Sequence, residues 1–524
     1  MTSSTARLRP QADDSILVLN YGSQYSRLIA RRLRELGVYS ELVPPSAAAE
    51  AAFRELSPKG VILSGGPFSA PDPSSPGVPP FLRSGTVPVL GICYGMQLWA
   101  QSFNGEVSSS FSREYGKTEV EWLEPDNALL KSVPRTTTVW MSHGDSIRKV
   151  PPEFRVLGRT VGGAVAAISR GSFFGLQFHP EVSHSQHGTE ILKNFVFGIC
   201  GCSPSWSPSD FIEDAVSAIR EEVGDGRVVC GLSGGVDSGV TAALVHRAIG
   251  DRLTCISVDN GLLRSGELDR VQEIFRNGLN LDVQIVDASR DYLRELAHVT
   301  DPEAKRKVIG RLFIEVFEDS IRTLGPVDFL AQGTLYPDVI ESAGDVAGPA
   351  SLIKSHHNVG GLPSNMRLKL IEPLRFLFKD EVRILGKELG LPDELVGRQP
   401  FPGPGLAVRI VGRVTKSRLN RLRAADTIVR DEIERTKWSK ILWQYFCVLA
   451  PSLKRVGVMG DHRMYGETVI VRAVRSEDGM TAEWAKLPDD LLERISSRIV
   501  NEVDNITTVL YDITNKPPAT IEWE

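Results

Sequence analysis

Cysteine is scarce: six residues in 524, too few for the disulfide framework of a small extracellular domain. Cys200 and Cys202 flank Gly201, but no second pair stands at zinc-ligand spacing, so no metal site is expected there. Most of the other cysteines lie in apolar runs, where burial accounts for them. Long apolar runs are also missing, and none approaches the ~18 residues of a membrane span. Residues 1–14 are polar and lack the apolar core of a signal peptide. Charge of one sign is not in excess either. Lys+Arg total 60 against 65 Asp+Glu, a net charge of −5, which argues against wholesale nucleic-acid binding. No internal repeat is visible. What is present is the profile of an ordinary globular protein, 42% hydrophobic and 24% charged, expected to be soluble and cytoplasmic and too long for one core.

Along the chain, Ser15–Gly22 reads as an apolar strand, and Gln24–Leu36 has helical periodicity ending at Gly37. Strands follow at Gly60–Leu63 and Val87–Ile92, then a helix from Tyr94 to Phe103. This alternation predicts an open, mostly parallel α/β sheet with its site beyond the strand C-termini. The Ser/Pro-rich stretch Cys202–Ser209 reads as a linker. A second α/β run begins near Phe211, with strands at Arg227–Leu232, Leu253–Val258, Asp282–Val286 and Val327–Ala331. Asp301 and Pro302 signal a helix start. Gly344–Asn365 interrupts the pattern and is long enough for a lid. Beyond Phe401–Gly405 come helices at Ser417–Glu434 and Pro488–Val503 and a strand at Thr508–Thr514. The fold expected is α/β: two open, mostly parallel α/β domains (14–204 and 205–399) followed by a smaller α+β domain (400–524).

Gly91-Ile92-Cys93-Tyr94-Gly95 follows an apolar strand and opens a helix. The spacing is that of a nucleophile elbow, in which two glycines permit a turn tight enough to lift a side chain above the sheet. Cys93 then sits at a helix N-terminus, which favours the thiolate. Gln177-Phe178-His179-Pro180-Glu181-Val182 supplies a base and, two residues on, a carboxylate. In an extended segment that spacing puts both on one side, so Glu181 can orient His179. Taken alone, either motif reads equally well as a buried thiol or a satisfied core histidine; together they favour a catalytic pair. Ser64-Gly65-Gly66-Pro67 ends another strand and can aim N–H groups at an oxyanion, although such a glycine pair is more often a simple turn. Gly91–Gln97 and Phe178–Val182 resemble the class I glutamine amidotransferases. That resemblance implies Cys93 as nucleophile, His179 as base and acid, Glu181 as its partner, and Gly65, Gly66, Tyr94 and Gln97 around the oxyanion and bound glutamine.

Ser233-Gly234-Gly235-Val236-Asp237-Ser238, followed by Gly239, lies between a strand and an apolar helix. Successive N–H groups at a helix N-terminus form a nest for a polyanion. No G-x-x-x-x-G-K is present, so no lysine follows to grip a γ-phosphate. Asp237 puts a carboxylate inside an anion site, which makes sense with a bridging Mg²⁺ brought by ATP. A helix cap of Ser and Asp is the plainer reading of the same residues. The motif is similar to that of ATP pyrophosphatases, which cleave between the α- and β-phosphates. On that resemblance Val258–Gly261 holds adenosine and Lys379 neutralises phosphate charge; a solvated lysine at a helix start is the competing account.

A glutaminase followed by an ATP pyrophosphatase resembles the glutamine-hydrolysing GMP synthetases of bacterial type. The matches are Gly333–Ser342, Lys354–Pro363, Gln399–Gly405 and Lys516–Glu524. The resemblance implies that XMP, ATP and glutamine are the substrates and that GMP is formed in the last step of de novo guanine nucleotide synthesis. It also implies that Arg306, Lys516 and Glu522 contact XMP and that the C-terminal domain forms a homodimer. Gly344–Pro363, with His356 and His357, is the candidate lid. The chain departs from the family at Asn20–Gln24 and at Gly457–Tyr465, where His462 and Met464 replace small residues and put the roles of Asp461 and Arg463 in doubt. An NAD synthetase with a glutaminase domain is the rival enzyme, and the tail and the cysteine-type glutaminase count against it. A scaffold with a decayed site is the non-enzymatic rival, but Cys93, His179 and Asp237 are all intact.

Overall fold

The computed structural model describes residues 9–10, 12–343, 368–459, 462–476, 479 and 481–524. The expected lid, with His356 and His357, and Asp461 lie outside them. The described chain divides into two compact units, residues 9–214 with 335–343 and residues 215–334 with 368–524. Among the described residues, no helix is long and apolar enough to cross a membrane.

In the first unit the elements run β1 (Ser15–Leu19), α1 (Ser26–Glu35), β2 (Tyr39–Val43), α2 (Ala47–Leu56), β3 (Gly60–Leu63), β4 (Val89–Ile92) and α3 (Tyr94–Ser102). They continue with β5 (Glu106–Trp122), β6 (Thr136–Lys149), β7 (Arg155–Thr160), β8 (Val165–Arg170), β9 (Phe173–Leu176) and α4 (Gly188–Lys193). One nine-stranded sheet has the order β2-β1-β3-β4-β9-β8-β7-β5-β6. Strands β2 to β9 in that order are parallel. β1, β3, β4 and β9 are buried along their whole length, as strands covered on both faces must be, so they read in sequence as unbroken apolar runs.

The rest of the sheet is antiparallel, a half that the periodicity of the chain did not announce. In β6, buried Thr137, Val139, Met141 and His143 alternate with less buried neighbours. That is a one-sided strand, but two of its four inward residues are polar, which blurs the apolar alternation.

α5 (Phe211–Val223) leads from the first unit into the second. There follow β10 (Val228–Gly231), α6 (Val236–Ile249), β11 (Leu253–Asp259), α7 (Glu267–Val271), β12 (Asp282–Asp287), α8 (Ser289–Glu295), α9 (Pro302–Thr323) and β13 (Phe329–Ala331). α10 (Tyr336–Ala343) clusters with the first unit, where the Tyr336 hydroxyl bonds to the Leu42 backbone. The second unit resumes with β14 (Lys369–Ile371), α11 (Lys379–Glu388) and α12 (Asp393–Val396). Its first sheet is wholly parallel, in the order β12-β11-β10-β13-β14. Strand order reverses at β10, and the crevice at such a reversal is where this architecture binds ligands.

The remaining elements are α13 (Lys416–Glu434), β15 (Gln444–Met459), β16 (His462–Arg475), β17 (Glu483–Trp484), α14 (Asp489–Glu502) and β18 (Ile506–Tyr511). β15 and β16 form a long hairpin, with β18 parallel to β16 on the other side. Leu419, Leu422 and Ile428 of α13 and Ile495 and Ile499 of α14 share a core with Leu449, Val469 and Val471. Helices gathered on one face of a largely antiparallel sheet give the expected α+β arrangement.

Candidate functional site

Two sites emerge, one in each unit. In the first, β4 delivers Cys93 to the N-terminus of α3 with φ 52°. That left-handed conformation is uncommon outside glycine and is tolerated where the surroundings enforce it. The enforcement is steric and hydrogen-bonded. A Cβ on Gly91 would stand 2.6 Å from Gly95 C, and one on Gly95 would stand 2.4 Å from Leu63 O. The Cys93 N–H donates to Leu176 O at 2.7 Å.

His179 follows β9, buried, and its Nδ1 lies 2.8 Å from Glu181 Oε1. The pairing is as expected but the local geometry is not. Residues 180–181 form a turn rather than extended chain, so it is bending at Pro180 that brings the carboxylate back to the ring. Ser185 Oγ donates to His179 O at 2.5 Å, and Arg32 Nε donates to Glu181 O at 3.2 Å. Burial disfavours charge on His179. The Glu181 carboxylate and the hydrogen-bonded Cys93 thiol outweigh it, and the imidazole is pushed up to about 10. That favours the imidazolium form of His179 beside the cysteine.

Gly65 closes the other side of the pair: a Cβ there would meet His179 Cε1 at 3.0 Å and Cys93 Cβ at 3.4 Å. The N–H groups of Gly65 and Gly66 donate to no other described residue. The Tyr94 N–H opens α3, where the helix offers it no carbonyl. The Tyr94 side chain is structural, its hydroxyl donating to Pro76 O at 2.8 Å. Gln97 is buried, and its Nε2 donates to Asp145 O at 2.9 Å and to Gln177 Oε1 at 3.3 Å. It therefore braces the wall of the site with its side-chain nitrogen.

That wall, Ser142–Asp145 of β6, had no place in the sequence reading. Ser142 O lies 3.8 Å and Gln177 Nε2 3.7 Å from Cys93 Sγ. His143 Nε2 is 3.3 Å from Glu114 Oε2, and Ser69 Oγ donates to Asp145 Oδ2 at 2.5 Å. Two titratable residues around Gly144 were the available signal, but without the antiparallel half nothing in the chain linked them to Cys93.

In the second unit, the loop after β10 opens α6. Gly234 has φ +74°, and Gly235 is the N-cap. Ser238 Oγ donates to Gly235 O at 3.1 Å and lies 3.0 Å from Ser233 Oγ, closing the loop on itself. Val236 is buried in the first turn, and a Cβ on Gly239 would strike Phe275 Cζ at 2.8 Å. Asp237 Oδ2 lies 3.2 Å from Lys379 Nζ, which reaches it from the start of α11. Asp237 Oδ1 is buried and has no hydrogen-bond partner among the described residues. Val258 stands near the end of the neighbouring β11. The turn after it is held by Asp259 and Asn260 side chains, which accept from the N–H groups of Gly261 and Leu262 at 2.9 and 2.8 Å. Arg423 of α13 donates to Gly261 O at 2.6 Å and to Leu263 O at 2.8 Å.

The tail is anchored. Arg306 Nη2 donates to Glu524 O at 2.5 Å. Glu522 accepts from Arg409 at 3.0 and 2.7 Å and from Gln444 at 2.7 Å. Lys516 Nζ donates to Gly479 O at 2.8 Å, a partner separate from the Arg306 contact. The triplet Lys305–Lys307 is not a uniformly solvated face. Lys305 is fully buried, with Ala407 O, Ile410 O and Glu524 Oε2 around its ammonium. Arg409, Gln444 and Lys305 lay outside the expected set.

Three family matches fall along the chain: glutamine amidotransferase class-I over residues 17–199, NAD synthase over 208–283 and GMP synthase C terminal domain over 431–523. The chain is 56% identical over 512 residues to the GMP synthase [glutamine-hydrolyzing] of Dehalococcoides mccartyi strain CBDB1, covering 98% of this chain and 96% of that protein. It is 54% identical to the Thermomicrobium roseum protein of the same name, over 98% and 97%. The chain belongs to the glutamine-hydrolysing GMP synthase family. A solved Thermoplasma acidophilum structure, described as a putative GMP synthase subunit, shares 29% identity over 37% of this chain and 96% of that one, with a TM-score of 0.33.

As a member of the GMP synthase family, the protein is a ligase that makes GMP in an ATP-dependent reaction with glutamine as nitrogen donor. The NAD synthase match covers residues 208–283 alone. Full-length identity and the GMP synthase C-terminal match therefore decide against the NAD synthetase alternative.

Proposed function

We propose that the protein converts XMP, ATP, glutamine and water to GMP, AMP, pyrophosphate and glutamate, with the chemistry divided between the Cys93 site and the Ser233–Ser238 loop. The observation that carries the first half is the buried Cys93–His179–Glu181 arrangement. The Cys93 thiolate attacks the glutamine amide carbon. The oxyanion is met by the Gly65, Gly66 and Tyr94 N–H groups, while Gln97 holds the wall of the pocket. His179 gives its proton to the departing ammonia, leaving a glutamyl thioester, and then takes one from the water that hydrolyses it.

At the second site the XMP C2 oxygen attacks the α-phosphorus of ATP and pyrophosphate leaves. Ammonia then adds at C2 and AMP departs with the former XMP oxygen. Ser233, Gly234, Gly235, Val236, Ser238 and Gly239 cradle the phosphates, Val258 borders the adenosine, and Lys379 offsets negative charge. Asp237 would hold the Mg²⁺ that accompanies ATP, since its unpartnered buried Oδ1 suits a hard cation. Held there, the ion would neutralise triphosphate charge. Arg306, Lys516 and Glu522 bind XMP, which requires Glu522 to share or exchange its Arg409 partner. Domain limits at 14–204, 205–399 and 400–524 complete this reading. A homodimer formed through the β15–β16 hairpin is also part of it, supported by exposed Val456, Val458 and Tyr465.

Isotope transfer tests the activation step. XMP carrying ¹⁸O at C2 should deliver the label to AMP. Label recovered in water or pyrophosphate contradicts the adenylyl intermediate, and turnover with deamido-NAD in place of XMP contradicts the acceptor.

A further inference from the structure

The phosphate loop is held from outside by an arginine that neither half of the chemistry employs. Arg398 follows α12, and its Nη1 donates to Gly234 O at 2.8 Å. Its Nη2 forms an ion pair with Glu267, the first residue of α7. Both side chains are shielded, 16% and 8% exposed. Arg383 Nη2 in turn donates to Arg398 O at 3.3 Å, fixing the backbone from which the guanidinium extends.

The consequence for the loop follows from peptide geometry. In a trans peptide the carbonyl and the following N–H point in opposite directions. Pinning the Gly234 carbonyl towards Arg398 therefore turns the Gly235 N–H away from it. That N–H lies 3.4 Å from Ser233 Oγ, on the side where the loop closes. Gly234 holds φ +74°, and a Cβ there would meet Val271 Cγ2 at 2.9 Å, so the peptide is also confined from the α7 side. A guanidinium suits the task because its planar fork can serve a carbonyl and a carboxylate at once, which a lysine ammonium does less well. Burial lowers Arg398 to about 10, with Arg264 and Arg430 adding to the effect. The group thus stays charged at neutral pH, and Glu267 compensates it.

We propose that Arg398, aimed by Glu267, is a positioning residue for ATP: by holding the Gly234 carbonyl outward it presets the loop N–H groups for the triphosphate. The proposal rests on the reading of Ser233–Ser238 as the phosphate site. A loop set before ATP arrives strengthens ground-state binding, so its loss appears in KM more than in kcat.

The test is ammonia-driven GMP synthesis at saturating XMP, with melting temperatures measured in parallel. Arg398→Lys and Arg398→Gln should raise KM for ATP about tenfold, ~1.4 kcal/mol, while kcat and KM for XMP stay within about twofold. Glu267→Gln should shift KM for ATP in the same direction and add little on the Arg398→Gln background. An unchanged KM for ATP in any folded variant overturns the proposal, as does an equal rise in KM for ATP and XMP. If the Arg398 variants fail to fold, Glu267→Gln alone decides by the same criterion. Asp237→Asn, assayed alongside, separates the two readings. Full activity there removes the phosphate-loop assignment itself, whereas its loss with KM for ATP unmoved in Arg398→Lys removes Arg398 only.

Discussion

Cys93 and His179 are each defined by what stands within a few ångströms. Gly65 is the most sensitive neighbour, since an alanine Cβ would sit 3.0 Å from His179 Cε1. Gly65→Ala should lower glutamine hydrolysis by about a hundredfold, the scale of a small displacement in a catalytic array, with ammonia-driven synthesis unchanged. The raised imidazole gives a second prediction. Glu181 and the Cys93 thiol together lift His179 against the cost of burial, so Cys93→Ser should lower its pKa, as read by imidazole NMR. A folded-state value above the unfolded one stabilises the protein fully below pH ~6.5. That contribution is lost as pH rises through about 10. Thermal stability of the parent should therefore fall across that window more steeply than that of Cys93→Ser. Cys93, His179 and Glu181 could be picked out in the sequence because flanking glycines and two-residue spacing are local signals. Ser142, His143 and Asp145 could not, because they reach the cysteine only through pairing of distant strands.

At the scale of elements, the parallel strands were the legible part. Their burial on both faces leaves continuous apolar runs, and both sites lie where such strands end. The antiparallel half of the first sheet was hidden by strands rich in Ser, Thr and charged residues. Helix α9 illustrates a different difficulty. Lys305, Arg306 and Lys307 look alike in sequence, yet only Lys305 is wholly buried. Its ammonium is enclosed by Ala407 O, Ile410 O and Glu524, and burial lowers its pKa despite that carboxylate. Lys305→Met should cost about 3 kcal/mol, because the Glu524 carboxylate is left without its buried partner. Urea unfolding should show it as an earlier transition of the second unit. A midpoint equal to that of the parent would mean that the tail is held by Arg306 and Arg409 without help from Lys305.

At the scale of the whole molecule, each compact unit carries one of the two candidate sites described above. The proposed dimer contact is the apolar surface of the β15–β16 hairpin, where Val458 is 72% exposed and Tyr465 63%. Val458→Glu with Tyr465→Glu should convert a dimer to monomer in sedimentation velocity, and a parent protein that sediments as a monomer removes the hairpin's proposed role. In the proposed function, glutamine cleaved at Cys93 supplies nitrogen to a separate ATP-dependent synthetase site. Its most direct test is GMP formation by Cys93→Ala with glutamine and, separately, with ammonium. Cys93→Ala should form no GMP from glutamine and undiminished GMP from ammonium. Loss of both activities in a folded variant, or survival of the glutamine-dependent one, would contradict it.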